Sequence, residues 1–222
     1  MNVFEEGRVL LINKPLRWTS FDAVRKIRGL VRTRKVGHAG TLDPLATGLL
    51  IICTGKFTKK INEYMAQEKE YTGTITLGAV TPTYDLESEP EQFRPVEQLT
   101  QPDLEQAAAR LTGEIWQVPP AHSAIKVDGK RVYELARACK EVKLEPRRIT
   151  IHVFELTRVE GAVVHFRVVC STGTYIRSLA HDFGQLLGCG AYLSSLCRTR
   201  IGSFGLAASQ TIEDFAASLQ HP

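Results

Sequence analysis

Residues 148–156 read RITIHVFEL (Arg148–Leu156), and residues 162–170 read AVVHFRVVC (Ala162–Cys170). Both are rich in β-branched and aromatic residues, and Glu160-Gly161 between them is a turn signal. They read as a strand pair, with Val164, Phe166, Val168 and Cys170 facing one side. Two successive strands with no helix between them break the β-α-β rhythm of a doubly wound sheet. The fold class that follows is α+β.

Working outward from this pair, the segment from Thr174 to Leu187 has helical periodicity, with Ile176, Leu179, Ala180, Phe183 and Leu187 inward. Upstream, Thr100, Pro102 and Asp103 open a helix through Leu104, Ala107, Ala108 and Leu111, stopped at Gly113. Thr83–Gln98 is acidic and polar and reads as an exposed excursion. Glu70–Leu77 alternates, with Tyr71, Gly73, Ile75 and Leu77 on one face and Glu70, Thr72, Thr74 and Thr76 on the other. Leu49–Cys53 is a continuous apolar run suited to a central strand. Near the start, Arg8–Asn13 reads as a short strand closed by Lys14-Pro15. Thr19 or Ser20 then caps a helix with Phe21, Val24, Ile27 and Val31 on its apolar face.

The chain has 222 residues, of which 43% are hydrophobic and 23% charged. That composition excludes collagen-like, low-complexity and disordered readings. No apolar run approaches the roughly 20 residues that span a bilayer, and Met1–Gly7 has no signal-like core. The five cysteines contain no C-x-x-C pair, so the expectation is a reducing, cytoplasmic setting without a disulfide framework or Cys-rich zinc site. The net charge of +4 hides strong segmentation. Residues 8–60 hold twelve Lys and Arg against Asp22 and Asp43, a net of +10, whereas residues 61–114 carry −8. A concentrated positive block is the electrostatic footprint of a polyanionic partner.

Several familiar motifs are excluded by their details. Gly48 to Lys56 is too long for a phosphate-binding loop, and Phe57 stands where Ser or Thr would meet magnesium. The six histidines show neither H-x-x-x-H nor H-E-x-x-H spacing, so no metal site is expected. Gly-x-Ser-x-Gly is absent. The informative stretch is GHAGTLDPLATG (Gly37–Gly48). Its glycines allow unusual backbone angles, Pro44 stiffens the position after Asp43, and the acid stands among basic segments.

This loop, with Asn13-Lys14-Pro15 and Thr19-Ser20 before it, resembles the TruB family of tRNA pseudouridine synthases. The resemblance continues in order through Gly113-Glu114-Ile115, Gln117-Val118-Pro119-Pro120 and Ser123-Ala124-Ile125-Lys126. It then runs through Gly129-Lys130-Arg131-Val132-Tyr133 and Gly173-Thr174-Tyr175-Ile176-Arg177, so that it spans about Leu11 to Gly202. Each string is weak alone; the ordered set is specific. The resemblance implies the pseudouridine synthase fold, a mixed and largely antiparallel sheet with flanking helices around a central RNA-binding cleft. It also implies isomerisation of uridine 55 in the T-loop of tRNA to pseudouridine, after base flipping, without metal or organic cofactor.

By position in the matched motifs, Asp43 is the essential carboxylate, Tyr71 the active-site tyrosine and Arg177 the arginine that pairs with the aspartate. Tyr175 and Leu196 line the uridine pocket, and His38 takes up stacking space when the target base leaves its stack. Lys14, Lys59 and Arg131 are expected at RNA phosphates. The sequence departs from the usual N-K-P-x-G-x-T-S by carrying Arg17 for glycine, and from T-D-T-x-D by carrying Pro82 for the first acid. The expected organisation is one catalytic domain over residues 1–222, with a thumb-like insertion near 117–146 and no C-terminal PUA domain. The expected partner is the T-arm of tRNA, with no membrane and no obligate protein partner, and a monomeric state. The other readings are a tRNA-folding module with incidental catalysis and a relative of the guide-dependent rRNA enzymes.

Overall fold

The structure, a computed structural model, describes residues 2–120, 126–127, 130–131 and 144–220. The thumb-like insertion expected at 117–146 lies mostly outside the described residues. The chain forms two compact units. The first comprises residues 1–72 and 195–222, the second residues 73–194.

In the first unit, α1 (Val3–Glu6) leads into β1 (Val9–Lys14), and α2 (Ser20–Val31) follows. Thr19 caps α2 through a full capping box with Asp22, the local chemistry that starts the helix there. β2 (Val36–His38) and β3 (Ala46–Thr54) flank the Gly/Pro-punctuated loop. A 3-10 turn (Gly55–Lys60) and α3 (Ile61–Met65) then lead to β4 (Lys69–Leu77), which passes into the second unit. The returning strand, β10 (Ala191–Ile201), was not anticipated by the sequence reading. It is followed by β11 (Phe204–Gly205) and α6 (Ile212–Ser218).

The strand order in this unit is β1-β3-β10-β4, with β2 also on β3 and β11 on β10. β1 and β2 pair antiparallel with β3, whereas β10 pairs parallel. The continuous apolar run of β3 is explained by two cores. Leu50 and Ile52 pack with Val24, Ile27, Ile212 and Phe215, while Leu49, Ile51 and Cys53 pack with Tyr64 and Ile201. A strand buried on both faces has no polar side to alternate with.

The second unit has strand order β10-β4-β9-β8-β5. Its own elements are α4 (Gln101–Arg110), β5 (Gly113–Gln117), β8 (Arg147–Glu160), β9 (Val163–Cys170) and α5 (Ile176–Leu187). A short pair, β6 (Lys126–Val127) and β7 (Lys130–Arg131), stands apart from this sheet. The β8–β9 hairpin is antiparallel and turns at Gly161, where φ is +57°. Val164, Phe166, Val168 and Cys170 are all buried, and Phe154 packs edge-on to Phe166 at 6.2 Å. The observed class is α+β with a largely antiparallel sheet, as expected.

Two details differ from the sequence reading. Phe21, expected on the apolar face of α2, is 60% exposed, and Ala23 occupies the buried position. The helix begins at Ser20, and the 3.6-residue period carries its inner stripe through 20, 23–24, 27 and 31, leaving 21 outside. The acidic excursion is exposed only from Leu86 onward. Thr81, Thr83 and Asp85 are buried. No described helix is long and apolar enough to cross a membrane.

Candidate active site

Asp43 lies half-buried on the loop between β2 and β3, and the main chain around it is held at nearly every residue. The Leu42 N–H donates to Ser20 Oγ at 2.8 Å, and that hydroxyl donates back to the Leu42 carbonyl at 3.1 Å. The Ala46 N–H donates to the Asp43 carbonyl at 3.0 Å, and the Arg17 N–H to the Pro44 carbonyl at 2.7 Å. The other side of the loop rests on Arg198, which is 1% exposed. Its Nε donates to the Leu49 carbonyl at 2.8 Å, Nη2 to Gly40 at 3.1 Å and Nη1 to Thr41 at 3.4 Å.

Gly48 makes the approach of β10 possible. Its φ is +100°, and a Cβ there would lie 2.8 Å from the Arg198 amide nitrogen. Sequence reasoning missed Arg198 because it sits in a Cys-Arg-Thr-Arg run that looks like an exposed basic strand. The available signal was its place two residues after Leu196, on the same strand face.

Lys14 is the clearest correction. It was expected at an RNA phosphate, yet it is fully buried and its ammonium donates to the Pro15 carbonyl at 3.0 Å and the Trp18 carbonyl at 2.6 Å. It therefore clasps both ends of the turn at 16–17 instead of reaching solvent. Burial pushes its pKa down to about 8, with the Asp43 charge opposing that shift and Arg198 adding to it. Asp43 thus lies within the field of the buried Lys14 ammonium.

The other expected residues of the first unit are distributed as follows. Tyr71 is buried on β4, on the same face as Ile75 and Leu77. Leu196 is half-buried and pairs with Ala46, the residue whose N–H binds the Asp43 carbonyl. His38 ends β2, and burial lowers its pKa, which favours the neutral, stackable imidazole. Lys59 is exposed on the 3-10 turn. Arg131 belongs to β7, but its side chain lies outside the described residues.

In the second unit, Arg177 sits in the first turn of α5 and is 4% exposed. Its Nε lies 3.8 Å from Asp85 Oδ2, and Nη1 donates to the Thr83 carbonyl at 3.3 Å. Asp85 is the acid that ends the Thr81-Pro82-Thr83-Tyr84-Asp85 string, within a segment that composition alone reads as exposed. Tyr175 is the N-cap of α5. Its N–H donates to Gln117 Oε1 at 2.8 Å, Gln117 Nε2 donates back to its carbonyl at 3.1 Å, and the Arg147 guanidinium covers its ring at 4.5 Å. Next to Asp85, Tyr84 has φ +64° and stacks on His181 at 3.9 Å. Burial raises Asp182 to about 6. Among the described residues, no group of three or more His, Cys, Asp or Glu is arranged to hold a metal ion.

A loop-borne carboxylate fixed through its main chain, within an α+β fold with a largely antiparallel sheet, fits the class that the sequence resemblance implies, a pseudouridine synthase. The comparisons narrow it. Residues 28–176 match the TruB family pseudouridylate synthase (N terminal domain), and residues 177–221 match the tRNA pseudouridylate synthase B C-terminal domain. The chain is 53% identical to the tRNA pseudouridine synthase B of Flavobacterium johnsoniae, over 97% of each chain. It is 50% identical to the protein of the same name from Chlorobaculum tepidum, over 94% of this chain and 89% of the relative. Among solved structures, a chain of a Cbf5-Nop10-Gar1 complex superposes with a TM-score of 0.75 at 30% identity, covering 96% of this chain and 54% of that one. The chain belongs to the TruB family of pseudouridylate synthases.

Proposed function

We propose that this protein converts uridine to pseudouridine in tRNA, at position 55 of the T-loop, with Asp43 as the reacting carboxylate. The supporting observation is the Asp43 loop itself. Its main chain is braced by Ser20, Arg17 and Arg198, in a chain 53% identical to a relative named tRNA pseudouridine synthase B. An isomerisation that breaks the C1′–N1 bond and rejoins the base through C5 needs an ionised carboxylate held against the sugar. It can add to C1′ or take the 2′ proton, and both routes ask for the same fixed acid.

In this proposal Arg177 is the arginine that the resemblance assigns to the reaction, and its planar fork of donors suits an ionised carboxylate. Tyr71 stacks on the target base and assists removal of the C5 proton. Tyr175 and Leu196 close around the uracil, and neutral His38 fills the space the extruded base leaves. Lys59, exposed on its 3-10 turn, meets phosphate. The enzyme acts as a monomer in the cytoplasm without metal or organic cofactor.

The test is to map pseudouridine in unmodified tRNA and in an isolated T-arm hairpin after incubation with the protein alone. Formation at uridine 55 in both is the expected result. Modification at another site, or a requirement for a guide RNA or protein partner, would overturn the assignment.

A further inference from the structure

Arg17 occupies a position that no arginine would take for its own sake. The turn at 16–17 brings it to φ +66°, the left-handed region where Cβ crowds the backbone and where glycine is the unstrained residue. The turn is nevertheless firmly set. The buried Lys14 ammonium holds the carbonyls of Pro15 and Trp18 on either side, and the Arg17 N–H donates to the Pro44 carbonyl. Residue 17 is therefore fastened by its main chain to the residue after Asp43, whatever side chain it carries.

What the arginine adds is an exposed guanidinium at that point. Among the described residues it makes no hydrogen bond or ion pair through its side chain. Leu16, its neighbour in the turn, is 53% exposed, and Phe21, at the start of the following helix, is likewise open to solvent. The surrounding segment carries the +10 block, with Arg25 on the helix that follows. A strained residue that is exposed and makes no polar side-chain contact among the described residues points to use of its side chain. Here that side chain is an unneutralised cation one hydrogen bond away from the catalytic loop.

We infer that Arg17 is an RNA-binding residue, whose guanidinium takes a phosphate of the substrate strand beside the target uridine. This rests on the reading that tRNA is the substrate. Lys14 supplies the turn and Arg17 the contact, which is why a buried lysine and an exposed arginine occur three residues apart.

The experiment compares wild type with Arg17→Gly, Arg17→Asn and Arg17→Lys, all on unmodified tRNA. Glycine relieves the backbone strain and asparagine tolerates it, so both should fold with a thermal midpoint at or above wild type. Both should weaken tRNA binding roughly three- to tenfold, raise KM more than they lower kcat, and reduce the salt slope of log K by about 1. Arg17→Lys should recover most of the affinity and the full salt slope. Unchanged affinity and salt slope in Arg17→Gly, beside a wild type that binds and modifies tRNA, would overturn the inference alone. A wild type that neither binds nor modifies tRNA would overturn the substrate reading and the inference with it.

Discussion

Arg198 in the first unit and Arg177 in the second are both buried guanidinium groups, but they keep different company. Arg198 gives its donors to the main-chain oxygens of Leu49, Gly40 and Thr41. Arg177 faces the carboxylate of Asp85 and shares a donor with the Thr83 carbonyl. The first fixes a shape: three carbonyls of one loop and strand are tied to a single rigid fork. The second balances a charge, and its carboxylate partner is itself a side chain that can be exchanged. Lys14 follows the Arg198 pattern, with an ammonium clasping a turn.

The contrast has energetic consequences that can be used to break it. The largest effect is expected from Arg198→Met, which fills most of the space but leaves the buried Leu49 carbonyl, and the partly buried carbonyls of Gly40 and Thr41, without the guanidinium's donors. Chemical denaturation should show a loss of about 3–5 kcal/mol, with catalysis falling as the Asp43 loop relaxes. No second substitution can restore it, because the partners are backbone. A loss below about 1 kcal/mol would mean that water replaces the guanidinium and that the loop is not held by it.

A somewhat smaller effect is expected from Asp85→Asn, about 2–4 kcal/mol, because it removes the charge facing a buried arginine. Here a partner substitution should help. Combining it with Arg177→Gln should recover at least about 1 kcal/mol relative to additivity in a double-mutant cycle. Strict additivity would show that the 3.8 Å approach is not an energetic pair. The readout is unfolding, since Arg177 is itself assigned to catalysis.

Lys14 sharpens the same contrast through pH. Its pKa in the folded chain is lowered to about 8 from an ordinary 10.5. Between those values the unfolded chain holds a proton that the folded chain has released, so stability rises with pH across that window. Below pH 8 the full cost of burying the ammonium is present. Relative to Lys14→Met, the wild type should therefore gain about 1–3 kcal/mol between pH 7.5 and 10. Taking the difference cancels Cys53 and Tyr64, whose ionisation burial also opposes in this range. A flat difference would show that Lys14 is solvated in the folded protein.

How much of this was legible in the sequence depends on the range of the interactions. Thr100 with Asp103 was readable as a helix start, and Thr19 as one of two candidate caps, because such partners lie within one turn. The alternation of Val164 to Cys170 was readable because sheet burial imposes it locally. The Asp43 loop stood out through its glycines and proline. Arg198 was not legible because its meaning depends on carbonyls about 150 residues away, and its neighbours Arg200 and Thr199 look like an ordinary exposed strand. Asp85 was masked by the acidic residues that follow it, which share its charge but not its burial. Lys14 was misread for the related reason that a basic segment does not say which of its cations turns inward. Arg17 was visible only as a departure from glycine, and acquired meaning once its φ and its bond to Pro44 were known.

The central claim is that the braced loop exists to hold one reacting carboxylate. Its most direct test is pseudouridine mapping in tRNA treated with Asp43→Asn, with tRNA binding measured in parallel. Asparagine matches the carboxylate in size but can neither attack C1′ nor accept the 2′ proton. Binding should stay within about threefold of wild type while pseudouridine formation falls by at least roughly a thousandfold. Turnover by Asp43→Asn at the wild-type rate would contradict the account.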